Sequence, residues 1–307
     1  RYFSAEPEHI PAGHSYTGVY TEPTYEADGY TTYTCSVCGD SYVETDEGTK
    51  LNAAARIGDT KYETLAAAVE AAAEGDTIVV LTDVVLTETL VIPAEKTVIL
   101  DLAGCTVSME DASGKAAQLI KNNGDLTVMD SLEGGKLTFV STTPSASYGY
   151  STSTIVNSGD LTIVSGTVES TTNGGASYAI DNAWYTEDVS LTVQGGTVKA
   201  ERIAIRQVLF STTAKNTVNI IDGVIDSGYS GLQVHNYQTT ACLSDVNISG
   251  GIFNGTYAFY TSYSYNNTAT GTDIEISGGT FNGDIALTGG KNKTNAENVT
   301  ITGRTFN

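Results

Sequence analysis

The sequence predicts an all-β protein: a right-handed parallel β-helix of about eight coils with an N-terminal capping helix, behind a small β-rich module. Three observations predict it. One phrase returns almost unchanged as "SDVNISGGIFNGTYAF", "TDIEISGGTFNGDIAL" and "ENVTITGRTFN". Short β-branched triplets recur at 98, 126, 161, 191, 218, 246, 274 and 299, so successive rungs stand 25 to 35 residues apart. Glycine-rich turns ("VSGT", "QGGT", "SGGT") separate strands of only a few residues, a punctuation that excludes helical repeats. Three short strands per unit describe one coil of a solenoid, which buries its inward face only by stacking on its neighbours.

The elements follow in chain order. Residues 1–50 read as the small module, marked by "TCSVCGDSY". Two thiols on a tight turn, Cys35 and Cys38, make half of a zinc knuckle, and His9 and His14 are the imidazoles at hand to complete it. A Cys35–Cys38 disulfide or a pair of free thiols is the competing reading, and the sequence favours it. Cys105 and Cys242 stand alone and read as packed or free thiols. The solenoid spans 54–307. Its helix is expected near 60–74, in "DTKYETLAAAVEAAAEGD", with a Thr60–Glu63 capping box, Leu65, Val69 and Ala72 on one face, and Gly75 as the stop. An amphipathic helix there covers the open end of the first coil.

Aligning the third strand of each coil gives columns. Ile120, Ile155, Ile180, Ile205, Val234 and Phe259 form an expected core row. Two positions on, Asn122, Asn157, Asn182, Gln207, Asn236 and Thr261 form an expected amide ladder, because adjacent strands lie about 4.8 Å apart. The column between them alternates outward and places Asp181, Arg206 and His235 on consecutive coils. A lyase needs a base near the sugar α-proton and a cation on the carboxylate, so these three are the catalytic candidates. The competing reading is an exposed ion-pair ladder worth under about 1 kcal/mol per pair. No paired-aspartate or Gly-His-Gly signature and no dense aspartate cluster accompanies them. Aromatics lie in or beside the loops after the second and third strands of successive coils. Trp184, Tyr185, Tyr237, Tyr260 and Tyr263, with Arg206, are the expected ligand-binding residues, since flat rings with polar edges suit sugar faces.

Fifteen Lys and Arg against 36 Asp and Glu give a net charge of −21. Such a field repels phosphate backbones and anionic lipid, so nucleic acid is excluded as a partner. No run of eighteen apolar residues is present, so no membrane insertion is expected within this stretch, and no signal peptide is visible. The start at Arg1 and the stop at "RTFN", partway through a coil, predict a piece of something longer.

A resemblance adds to this. "ARIGDTKYETLAAAVEAAAEGDTIVVLTDVVL" with "TVILDLAGCTV" and the "ISGGTFNG" coils resembles pectate-lyase-like right-handed β-helix domains in surface proteins of gut Firmicutes. "IPAGHSYT", "TEPTYEADGYTTYTCSVCGDSYV" and "ETDEGTK" resemble a small tandem module of those proteins, and residues 1–8 resemble the tail of a preceding copy. The related modules carry cysteine where Tyr25 stands, which removes a metal ligand. The resemblance implies an extracellular or cell-wall location. The expected function is a non-catalytic, adhesin-like protein that binds glycan or a surface partner along one flank, without a cofactor unless zinc. The alternatives are a polysaccharide lyase or glycoside hydrolase and a structural stalk.

Overall fold

The computed structural model describes residues 13–113, 115–142, 151–172, 176–184, 187–238, 242–263, 272–287, 298–303 and 305–306. The chain forms two compact units, Arg1–Ala53 and Ala54–Asn307. In the first, strands β1 (Tyr16–Thr21), β2 (Gly29–Cys35) and β3 (Ser41–Asp46) make an antiparallel sheet with β2 at its centre. The second unit is a parallel β-helix with three walls.

Its entrance differs from the expected helix. Strands β4 (Ala55–Ile57) and β5 (Thr60–Tyr62) form a hairpin, and β4 pairs antiparallel with β6 (Asp76–Val80), the first strand of the solenoid. Gly58, at φ +56°, opens the hairpin's Gly58–Asp59 loop, which is why Thr60 is strand rather than cap. Helix α1 is therefore only Leu65–Ala71, and its cap is Thr64, whose hydroxyl accepts from the Ala67 N–H at 3.1 Å. Leu65, Ala68, Val69 and Ala72 are buried. Lys96 donates to the Glu70 and Ala72 carbonyls at 2.8 and 2.6 Å, satisfying groups that the helix end leaves open.

Beyond β6, the triplets form the first wall in strict parallel register, from Val98 through Leu126, Leu161, Leu191 and Val218 to Val246 and Ile274. The second and third strands of each coil form the other two walls, joined through the long strand Ile252–Tyr263, which contributes to both. The solenoid has about six turns, not the eight expected. The triplet ladder counts rungs, and the rungs at either end do not each carry a full coil. The first, for instance, has a second strand of only two residues, Val84–Val85.

The turns explain the glycines. Gly196, at φ +74°, would put a Cβ 2.5 Å from the Gly166 carbonyl of the preceding coil, and Gly223, at φ +104°, would put one 2.9 Å from the Gly196 carbonyl. Inside, apolar rows run along the axis; each Leu or Ile so buried contributes roughly 1.5–3 kcal/mol. Phe253 and Phe281 stack on consecutive coils with centroids 4.8 Å apart.

The third wall keeps most of the predicted register and corrects one coil. Ile120, Ile155, Ile180, Ile205 and Phe259 do form one buried row, but its member on the coil between the last two is Leu232, not Val234. Val234 pairs with Gln207 and Thr261, and Asn236 pairs with Leu209 and Tyr263. The slip is two residues, so inside and outside are preserved while row membership changes.

The amide ladder is real for three rungs. Asn122 donates to Asn157 at 2.8 Å and Asn157 to Asn182 at 2.7 Å, all three fully buried. Each also reaches a backbone carbonyl on the first-wall strand of the next coil: Asn122 to Asp160 at 2.9 Å, Asn157 to Ser190 at 2.8 Å and Asn182 to Thr217 at 3.5 Å. Gln207, one methylene longer, instead donates to the Asn216 carbonyl and the Ser244 hydroxyl. The next rung is Val234, which ends the amide row.

Candidate functional site

The flank of interest is the outer side of the third wall, strands Ala176–Trp184, Ile203–Leu209, Ser230–Asn236 and Ile252–Tyr263. Strand alternation is broken there by a bend. The pairing passes from Tyr178–Ile203–Ser230–Tyr257 to Ile180–Ile205–Leu232–Phe259 and skips Ala179, Ala204, Gly231 and Ala258. These small residues turn the corner between two walls. A Cβ on Gly231 would stand 2.8 Å from the Ala258 carbonyl, so the corner admits nothing larger there. The bend turns Tyr178, Ile203 and Tyr229 away from the main core into an apolar cluster of their own.

That cluster changes what Asp181 and Arg206 are. They pair across adjacent coils as predicted, but both are buried, at 4% and 7% exposure, not solvated. The Arg206 guanidinium is bidentate on the carboxylate, Nε to Oδ1 at 2.9 Å and Nη2 to Oδ2. Its face lies 3.8 Å from the centre of the Tyr178 ring, and Nη1 donates to the Tyr178 hydroxyl at 2.9 Å. Burial opposes the charge on Arg206, yet the Asp181 carboxylate outweighs it and raises the guanidinium pKa. Burial likewise pushes the Tyr178 phenol up to about 12. These charges are spent on each other.

His235 is not the third member of the line. The register places Gln233 beside Arg206, and His235 sits beside Val208, two residues along the strand. Its Nδ1 shares a hydrogen bond with the Ser262 hydroxyl at 2.5 Å, and its ring lies 4.2 Å from that of Tyr237. Burial, helped by the Arg206 charge, lowers its pKa to about 4. A neutral, hydrogen-bonded imidazole beside a closed ion pair is poor equipment for abstracting a sugar proton.

What the flank leaves open is aromatic. Tyr229, Tyr257 and Tyr260 are half-exposed and touch one another, with centroids 5.1 to 6.2 Å apart. Half-exposed Phe210 stacks on Tyr237 at 4.9 Å, extending the His235–Tyr237 contact. Tyr237 and Tyr260, two of the residues expected to bind ligand, are among these half-exposed rings. The side chains of Trp184 and Tyr263 and the whole of Tyr185 lie outside the described residues. Tyr178 was missed because plain alternation hides the bend. The signal was available as the repeated small residue before each core position, in "YAI", "IAI", "SGL" and "YAF".

Elsewhere the outer surface mixes ion pairs with scattered exposed aliphatic residues such as Val85, Leu132 and Ile221. Glu169 bridges Lys136 and Lys199 at 3.0 and 3.3 Å on successive second-wall strands. An open groove of about 330 Å³ is lined by Asp245, Asn247, Asp273, Ile274, Glu275 and Thr300, with Lys215 paired to Asp245 at 2.5 Å. Its lining carries three carboxylates, those of Asp245, Asp273 and Glu275. No described helix is long and apolar enough to cross a membrane.

In the first unit the predicted thiol pair meets one predicted imidazole. Cys35 and Cys38 are unbridged, and the ligand atoms of His14, Cys35 and Cys38 all lie within 4.8 Å of one another. Burial works against ionising Cys35, but the backbone N–H groups of Cys38, Ser15 and Val37 outweigh it and lower its pKa to about 6. His9 lies outside the described residues. Cys105 and Cys242 are also unbridged, and burial pushes Cys242 up to about 11.

Comparison of the chain with protein-family models, with curated proteins and with solved structures finds no match.

Proposed function

We propose that this chain is an extracellular, non-catalytic β-helix protein that binds a glycan on the outer flank of its third wall. The observation that carries the reading is the contrast on that flank: Asp181 and Arg206 are closed on each other, while Tyr229, Tyr257 and Tyr260 stay half-open. Aromatic faces edged by hydroxyls take up the apolar faces of sugar rings and hydrogen-bond their rims. A net charge of −21 and a neutralised arginine both favour a neutral glycan over a uronate polymer. A lyase would need an accessible cation and a base poised near working pH, and neither Arg206 nor His235 meets that need.

The reading is tested by a glycan array run beside an assay for unsaturated uronide and reducing-end release on the same preparation. Binding of neutral glycans without product supports it. Product release, or an array without hits, overturns it.

A further inference from the structure

The geometry points to a metal site in the first unit, and we propose that His14, Cys35 and Cys38 bind a zinc ion that staples the start of β1 to the β2–β3 turn. This is independent of the flank. Three chain segments converge. His14 lies two residues before β1, Cys35 ends β2, and Cys38 sits in the tight turn that follows. That turn is shaped by the backbone: Gly39 N–H to the Cys35 carbonyl at 2.9 Å, Cys35 N–H to the Asp40 carbonyl at 2.7 Å, and Gly39 at φ +77°. The β1 entrance is tied to it by Ser36 N–H to the Ser15 carbonyl at 2.8 Å and by the Ser15 N–H on Cys35 Sγ at 3.4 Å. Cys38 Sγ is 3.2 Å from His14 Nδ1. Tetrahedral zinc with bonds of about 2.0 to 2.3 Å holds its sulfur and nitrogen ligands about 3.5 to 3.8 Å apart, so the group needs only a small adjustment to close on the ion.

The surroundings fit a cation. The Tyr16 ring stacks on His14 at 5.7 Å and its hydroxyl donates to the Asp40 carboxylate at 2.8 Å, which fixes the imidazole and brings a negative charge close. Two soft thiolates and an imidazole select zinc over magnesium or calcium.

A second observation points the same way. Among the described residues of this unit, Cys35 is the one buried apolar side chain, and Gly29 is the one other buried residue. β3 is exposed along its whole length, and Val19, Val37 and Val43 are 55 to 70% exposed. A three-stranded sheet with so little core lacks the burial that holds small domains together, and such domains are commonly stapled by metal or disulfide. A disulfide between Cys35 and Cys38 would join residues of one turn and add no link to β1 beyond its backbone pairing; the metal adds one through His14. Binding releases the thiol protons, and the ion's binding free energy becomes folding free energy of the sheet.

The test uses the full chain, reduced, freed of metal and then titrated with zinc chloride or cobalt chloride. The expected result is about one equivalent of zinc per chain, and with cobalt a thiolate charge-transfer band plus the intense visible bands of tetrahedral coordination. Cys38→Ser abolishes both, and His14→Ala weakens the visible bands. Neither variant shifts the melting transition of the β-helix, which separates loss of the site from loss of the protein. Zinc uptake below a tenth of an equivalent in the reduced chain, or a cobalt spectrum that survives Cys38→Ser, overturns the proposal.

Discussion

Two neighbouring patches of the third wall differ in kind. At Asp181 and Arg206, an acid and a cation on adjacent coils are buried against Tyr178 and satisfied by each other. One to two coils on, Tyr229, Tyr257 and Tyr260 lean on one another and keep part of their faces in water. The difference teaches that alignment along a solenoid does not make a site. A charge pair that is closed and dry specifies structure, and a set of rings that is only half closed can still take a ligand.

The comparison can be broken first from beneath. Both patches rest on the row through Ile180, Ile205, Leu232 and Phe259. Ile205→Asp puts a carboxylate without a partner into that row and should cost more than about 4 kcal/mol, removing the cooperative transition of the β-helix from a thermal melt. A variant that melts like the parent would place Ile205 outside the core.

The closed patch gives the next largest effect. Arg206→Ala leaves Asp181 buried and uncompensated and should destabilise by about 3–5 kcal/mol in urea unfolding. Replacing both partners by apolar residues, Asp181→Leu with Arg206→Met, should recover most of this, because removing both charges removes the desolvation cost with them. If the single change is neutral, the pair is a surface ladder after all.

His235 sharpens the contrast through pH. Its folded-state pKa of about 4 lies below its ordinary value of 6.5, so the unfolded chain binds the extra proton. Its contribution to stability is fully present above pH 6.5 and is lost as pH falls toward 4. His235→Gln should therefore flatten the fall in melting temperature across that window. An unchanged slope would mean that His235 is solvated and titrates as in a free peptide.

These contrasts also mark what the sequence could carry. The rungs, the glycine corners and the first three amides of the ladder were legible because each repeats with the coil. The row through Val234 was misread by two positions, and a period-2 pattern cannot resolve that, since both Leu232 and Val234 face inward and are buried. The entrance was misread because Thr60 and Glu63 have the spacing of a capping box ahead of the helix-forming run "LAAAVEAAAE", whereas the Gly58 turn and the pairing with β4 claim Thr60–Tyr62 for a strand. The burial of Asp181 and Arg206 was not legible at all. It depends on Tyr178 being swung outward by the bend at Ala179, a tertiary consequence of stacking small corner residues. The Cys35–Cys38 pair with His14 was legible from residue types alone, but the exposed sheet around it was not.

The smallest effect on stability belongs to the open patch, and there the central claim is most exposed. The direct measurement is the affinity of the strongest array glycan, by titration calorimetry, for the parent chain and for Tyr257→Ala with Tyr260→Ala, with melting temperatures alongside. The account predicts a loss of about 1–3 kcal/mol in binding, roughly 5- to 150-fold in Kd, with stability changed by about 1 kcal/mol or less. Equal affinity in parent and variant would contradict it, and would move recognition away from the third wall.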